Sequence, residues 1–182
     1  MRTVSGVSLA HAGLHELLDA LVQRNQATMH VDNVAILLPA ADGRTLRMST
    51  VFGPEEEVAE RVQVPIGQGV AGRIAARREP YVVEDLRQVE VANPFLRSHF
   101  HSLLGVPLLV EERLVGVLHV STIAPRRFTD EERELLEVIG ERIALAIDRA
   151  HVFETEQQHR QRAEHQLRSL EETTRRMDAF LT

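Results

Sequence analysis

The chain has 182 residues, 43% hydrophobic content and a net charge of -6, which suits one globular domain of ordinary size with an extension. It has no Cys, and all 21 basic residues are Arg, so thiolate nucleophiles, disulfides, Cys-based zinc sites, Walker-type phosphate loops and Schiff-base lysines are excluded. Aromatics are 4%, there is no basic tract, and no apolar run is long enough to span a bilayer, so the expectation is a cytoplasmic protein with no nucleic acid partner and no membrane segment.

In chain order, Leu14, Leu17, Leu18, Leu21 and Val22 form one stripe of an amphipathic helix from Ser8 to about Met29. Val34 to Leu38 reads as a buried strand. Asp42-Gly43 is a turn, and the alternation of Leu46, Met48, Thr50 and Phe52 returns a second strand antiparallel. After Gly53-Pro54, the acidic stretch from Glu55 to Glu60 reads as a solvated surface segment. Val62 to Ile66 is a brief strand, Val70 to Arg78 a short helix, and Tyr81 to Val83 another short strand. Glu84 to Ser98 is a long connection with a helical turn or two. Ser102 to Val110 and Leu114 to Ser121 are strands joined at Glu111-Glu112-Arg113.

From Thr129 to Thr182 the chain contains one Gly (Gly140) and no Pro, and it opens on a capping box of Thr129 and Glu132. It reads as one helix of roughly 80 Å, longer than a domain of this size, so its second half needs a partner. Leu136, Ile139, Ile143, Ala146, Ala150 and Phe153 recur three and four apart, as a heptad seam does. Nothing apolar stands between 154 and 162; the seam resumes at Ala163, Leu167, Leu170, Thr174, Met177 and Leu181, out of phase with the first, which places a register break in the polar stretch.

Five stretches in register resemble a GAF domain: Val64 to Gly72, Tyr81 to Asp85, Leu103 to Leu108, Leu114 to Leu118 and Phe128 to Glu132. The resemblance covers residues 8–151 and leaves 152–182 as a coiled-coil signalling helix. It implies an α+β fold: an antiparallel sheet with the N- and C-terminal helices on one face, a ligand-pocket excursion on the other, and dimerisation through the helices. The last eight residues, Arg175 to Thr182, are similar to the segment just before the phospho-acceptor histidine box of sensor histidine kinases. That similarity implies the sensor part of a longer two-component protein whose output, a kinase domain, lies downstream.

Three motifs invite chemistry. Gly67-x-Gly69-x-x-Gly72 matches the dinucleotide fingerprint formally, but the helix after it ends before Pro80, too short for a crossover between parallel strands; turn and packing roles are expected instead. His99 and His101 alternate around Phe100, and with His119 they are the imidazoles from which a metal or haem site would be drawn; no motif assigns any of them that role, and local hydrogen bonding is the expected reading. The Asn-Lys signature of cyclic-nucleotide GAF domains is absent, since Pro94 follows Asn93. The bilin-binding members and the free methionine sulfoxide reductases of the fold use Cys, which this chain lacks.

The expected ligand pocket is bounded by Phe52, Val70, Tyr81, Phe95, Phe100, His101 and His119, and the expected dimer seam by Ile139, Ile143, Ala146, Ala150, Phe153, Ala163, Leu167, Leu170, Met177 and Leu181. The reading is a non-catalytic sensory module that relays ligand or conformational state through a parallel homodimer to a histidine kinase, with an unidentified small molecule as signal. The alternatives are a ligand-free dimerisation module and a haem- or metal-binding redox or gas sensor.

Overall fold

The computed structural model describes residues 28–180 together with Glu16, Ala20 and Arg24; for Glu56, Glu60, Glu154, Glu171 and residues 173–180 it describes the backbone alone. Of the helix expected from Ser8 to about Met29, Glu16, Ala20, Arg24, Thr28 and Met29 are described and are helical, while its apolar stripe of Leu14, Leu17, Leu18, Leu21 and Val22 lies outside the described residues.

The alternating and apolar runs become six strands: β1 (Asn33–Pro39), β2 (Thr45–Phe52), β3 (Gln63–Pro65), β4 (Tyr81–Val83), β5 (Ser102–Val110) and β6 (Arg113–Thr122). They form one antiparallel sheet in the order β3-β2-β1-β6-β5-β4. The β1–β2 turn is set by Asp42, whose Oδ1 accepts from the backbone N–H groups of Arg44 (2.9 Å) and Thr45 (3.1 Å). Strands β1 and β6 lie at the centre of the sheet and are covered on both faces. That is why they read as continuous apolar runs rather than clean alternations.

One face carries the excursion between β2 and β5. It contains 3-10 turns at Pro54–Glu57, Ala59–Arg61 and Leu86–Gln88, and two helices, α1 (Gly69–Arg77) and α2 (Pro94–His99). Ala35, Leu37, Met48, Leu103 and Val117 of the sheet share one buried cluster with Val70, Ile74, Leu86, Leu96 and Phe100 above them. Gly105 permits this approach: a Cβ there would stand 2.4 Å from Ile74 Cδ1. The glycines of the formal dinucleotide motif do backbone work. Gly69 has φ +60, and a Cβ on Gly72 would stand 2.2 Å from the Pro65 carbonyl oxygen.

The third helix, α3 (Asp130–Phe180), opens on the predicted capping box. The Glu132 N–H donates to Thr129 Oγ1 (3.2 Å), and the Thr129 N–H donates to Glu132 Oε2 (2.9 Å). Leu136, Ile143, Ala144 and Ile147 are completely buried. Gly140 fits against β5, where a Cβ would meet Val106 Cγ2 at 3.2 Å and Leu108 Cδ2 at 3.3 Å. Residues on β5 alternate, so this is the face opposite Gly105. Two compact units divide the chain at Asp148/Arg149, within the residues of α3.

Arg126 joins three segments ahead of α3. Its Nη1 donates to the carbonyls of Met29 and His30 (2.8 Å each), its Nη2 pairs with Glu132, and its guanidinium lies 5.1 Å from the centre of the Phe128 ring. An arginine on the last carbonyls of a helix satisfies acceptors that the helix leaves open. No helix among the described residues is long and apolar enough to cross a membrane.

Candidate functional site

The polar centre of the excursion face is Glu55, a residue that sequence alone assigns to solvent. Its exposure is 1%. Gly53 makes this possible: with φ +115 it turns the chain tightly over β1, where a Cβ would stand 2.4 Å from the Asp32 carbonyl oxygen. The 3-10 turn that follows drops Glu55 onto the sheet beside Asn33.

The Glu55 carboxyl group is matched on both oxygens. Oε2 accepts from Asn33 Nδ2 at 2.9 Å and Oε1 from Asn93 Nδ2 at 3.0 Å, while the Glu55 N–H donates to Asn33 Oδ1 at 3.2 Å. His119 Nε2 stands 3.5 Å from Oε2, and Ser121 Oγ stands 3.5 Å from His119 Nδ1. Asn33, His119 and Ser121 are all buried, so this is a polar cluster inside the core, held together by reciprocal partners.

Each member has a local reason for its position. Asn93 is the N-cap of α2: its Oδ1 accepts from the Phe95 N–H (3.1 Å), Pro94 occupies the first turn, and the remaining amide hydrogens reach Glu55. His119 lies on β6 between Ala35 of β1 and Gly105 of β5. Two small neighbours leave room for an imidazole in the middle of a sheet. Burial pushes His119 below the usual imidazole range, and the Glu55 carboxyl group opposes this only in part, so near neutral pH the ring is neutral. Ser, His and Glu in line resemble a nucleophile relay, but Ser121 is fully buried and its hydroxyl is closed to a substrate in this structure.

The residues expected to bound one pocket are dispersed. Val70 and Phe100 belong to the hydrophobic core, and Phe52 is half-buried at the end of β2. Phe95 stacks on His99 with ring centres 3.7 Å apart and meets Phe100 edge-on at 6.3 Å. Tyr81 borders a small cavity of about 110 Å³ with Arg73, Ile74 and Arg77. His101 borders an open groove of about 540 Å³ with Val82, Asp85, Gln88, Arg126 and Arg127. Only His119 joins the buried polar cluster.

The three histidines do not converge on a metal position. The His99 ring nitrogen faces Ser98 Oγ (2.8 Å). His101 lies between Arg87 Nη2 (2.8 Å) and the Glu84 carbonyl (3.0 Å), and His119 faces Glu55. Among the described residues no group of three or more His, Asp or Glu side chains is placed to hold a metal ion. In the groove beside His101, Arg87 grips Asp85 through Nε (2.8 Å) and Nη2 (2.9 Å) and holds its carboxyl group well below the usual carboxylate range.

The expected seam also needs correction. Ile143 has no exposed surface and serves the core of its own domain, as does Leu136. Ile139, Ala146 and Ala150 are half-buried, while Phe153, Ala163, Leu167 and Leu170 are exposed; the Met177 side chain and Leu181 lie outside the described residues. The large apolar side chains that α3 exposes up to Val152 are instead Leu135, Val138, Leu145 and Val152.

Comparison with known proteins agrees with this architecture. The GAF domain family model matches residues 13–147. A free methionine-R-sulfoxide reductase of Escherichia coli K12 is 30% identical over 84 residues, which are 46% of this chain and 50% of that protein, so the match spans half the length of that relative. Among solved structures, the GAF domain of an Acinetobacter phosphoenolpyruvate-protein phosphotransferase superposes with a TM-score of 0.69 at 24% identity, covering 83% of this chain and 89% of that one. A domain assigned to a two-component sensor histidine kinase of Sinorhizobium meliloti 1021 superposes at 0.65 with 23% identity, covering 79% and 97%. At these identities the structures speak for the fold, and the family match over most of the sequence fixes the membership: the chain belongs to the GAF domain family.

Proposed function

We propose that this chain is the sensory module of a two-component signalling protein, in which the state of the excursion face passes through α3, paired in parallel with a second copy, to a histidine kinase downstream. The observation that carries the reading is the position of β6. His119 faces the buried Glu55 cluster, while its neighbours Leu118 and Val120 point to the opposite face, where Gly140 of α3 meets β5. One strand thus contributes to the polar centre on one face and, through Leu118 paired with Val106, to the sheet face on which α3 lies. A change in the cluster is felt by α3 through a packed sheet, which responds as a unit because interiors are dense.

The similarity to a sensor-kinase domain and the kinase-like last eight residues support the output. The signal is a small molecule or a conformational state of the excursion. Sulfoxide reduction by thiols is not part of this reading, because the chain has no Cys. The internal satisfaction of Glu55 favours one second reading, a ligand-free module whose task is to pair chains.

The test joins the chain in helical phase to a histidine kinase core and measures autophosphorylation. Glu55→Gln is expected to shift the rate at least severalfold with the dimer intact. An unchanged rate in a folded, dimeric Glu55→Gln chimera favours the ligand-free pairing module.

A further inference from the structure

The face of α3 that remains open after the domain has packed its own core is regular. Val138, Leu145 and Val152 recur at intervals of seven and are 49%, 49% and 52% exposed; Leu135 is 41% exposed. With Val138, Leu145 and Val152 in one core row of a heptad, the other core row is Leu135, Arg142 and Arg149. The same row continues in sequence at Ala163 and Leu170, four and five heptads after Leu135. Leu136 and Ile143, by contrast, are buried and belong to the domain core. With Leu135 in their place one core row keeps its heptad phase across the polar stretch, while the other does not, since Leu167 stands 15 residues after Val152.

Arg142 decides what covers this face. It is exposed and has no ion-pair partner among the described residues, and the same is true of Glu141 beside it. Adjacent residues on one helix do not face each other, so the two charges cannot satisfy one another within a chain. In a parallel, in-register pair, the residue before a core position lies next to that core position of the facing helix. Glu141 of each copy then meets Arg142 of the other, twice by symmetry. An all-basic or all-acidic partner leaves one of the two unmatched.

We infer that a second copy of this chain docks on the Leu135, Val138, Arg142 and Leu145 face in parallel and in register, with reciprocal Arg142–Glu141 ion pairs fixing the register. A charged core position costs stability and specifies alignment, as polar core residues do in coiled coils. The inference rests on the proposed reading that the module works as a pair, and adds which face pairs and what fixes it.

The absence of Cys makes the test direct. Val138→Cys and Leu145→Cys are each expected to form a disulfide with the same position of a second copy under mild oxidation. Glu112→Cys, at the exposed β5–β6 hairpin tip, is not. Arg142→Glu is expected to weaken self-association by about tenfold or more, and Glu141→Arg in the same chain to restore it. If sedimentation shows a dimer but neither cysteine cross-links, the face is wrong while the paired module stands. If Arg142→Glu leaves the dimer unchanged, the register device is wrong. A chain that stays monomeric at micromolar concentration overturns both this inference and the paired reading.

Discussion

Glu55 and Asn93 meet over the sheet although 38 residues separate them: Asn93 donates to Glu55 Oε1 at 3.0 Å while its own oxygen caps α2. Asparagine is required there because aspartate cannot donate and serine cannot reach in two directions. The contact fastens the turn after β2 to the start of α2, and Asn33 fastens both to β1. It predicts that Glu55→Ala, which leaves the buried Asn33 amide and the half-buried Asn93 amide without their acceptor, costs about 2–4 kcal/mol. Glu55→Gln keeps the shape but turns an amide donor towards another donor, and costs about 1–3 kcal/mol. Urea denaturation measures both, and a Glu55→Ala variant within about 0.5 kcal/mol of the parent contradicts the account.

Buried His119 makes stability depend on pH. Its folded-state pKa lies below the ordinary value of about 6.5, so in mild acid the unfolded chain takes up a proton that the folded chain resists. Stability from this residue is present above that value and is lost as pH falls through it towards the folded pKa. Melting temperature measured from pH 7.5 to 5.5 is expected to fall, and to fall less steeply in His119→Gln.

Gly105→Ala places a methyl group against Ile74 Cδ1 at 2.4 Å and is expected to destabilise by about 1–3 kcal/mol. Ile74→Val removes that same atom at a cost of about 0.5–1.5 kcal/mol. The double variant is expected to lose less than the sum of the two. Strict additivity in a double-mutant cycle argues against the contact.

Removing Arg126 tests the tie between the residue 28–30 segment and the cap of α3. Arg126→Ala leaves the Met29 and His30 carbonyls without their donor and bares Phe128, for an expected loss of about 1–3 kcal/mol. Arg126→Lys recovers only part of this, because an ammonium lacks the planar fork that reaches both Glu132 and the two carbonyls. Hydrogen exchange at residues 28–32 is the readout; protection equal to the parent in Arg126→Ala refutes the role.

The sequence by itself determined the elements and much of their order. Alternation at Leu46, Met48, Thr50 and Phe52, the Asp42-Gly43 turn and the Thr129–Glu132 capping box are local patterns, governed by side chains within a few residues, and each became what it predicts. The tertiary structure decided which residues of those elements meet. Glu55 looked solvated because its neighbours are Glu56 and Glu57; it is buried because Gly53 folds the turn onto Asn33 and because Asn93, distant in sequence, supplies a second donor. Ile143 looked like a seam because three-and-four spacing is the same for a helix packed on a sheet and for one packed on a second helix. Periodicity says that a face is covered, and only the packed structure says by what: here Ile143 is buried in the core of its own domain, while Val138 and Leu145 remain open.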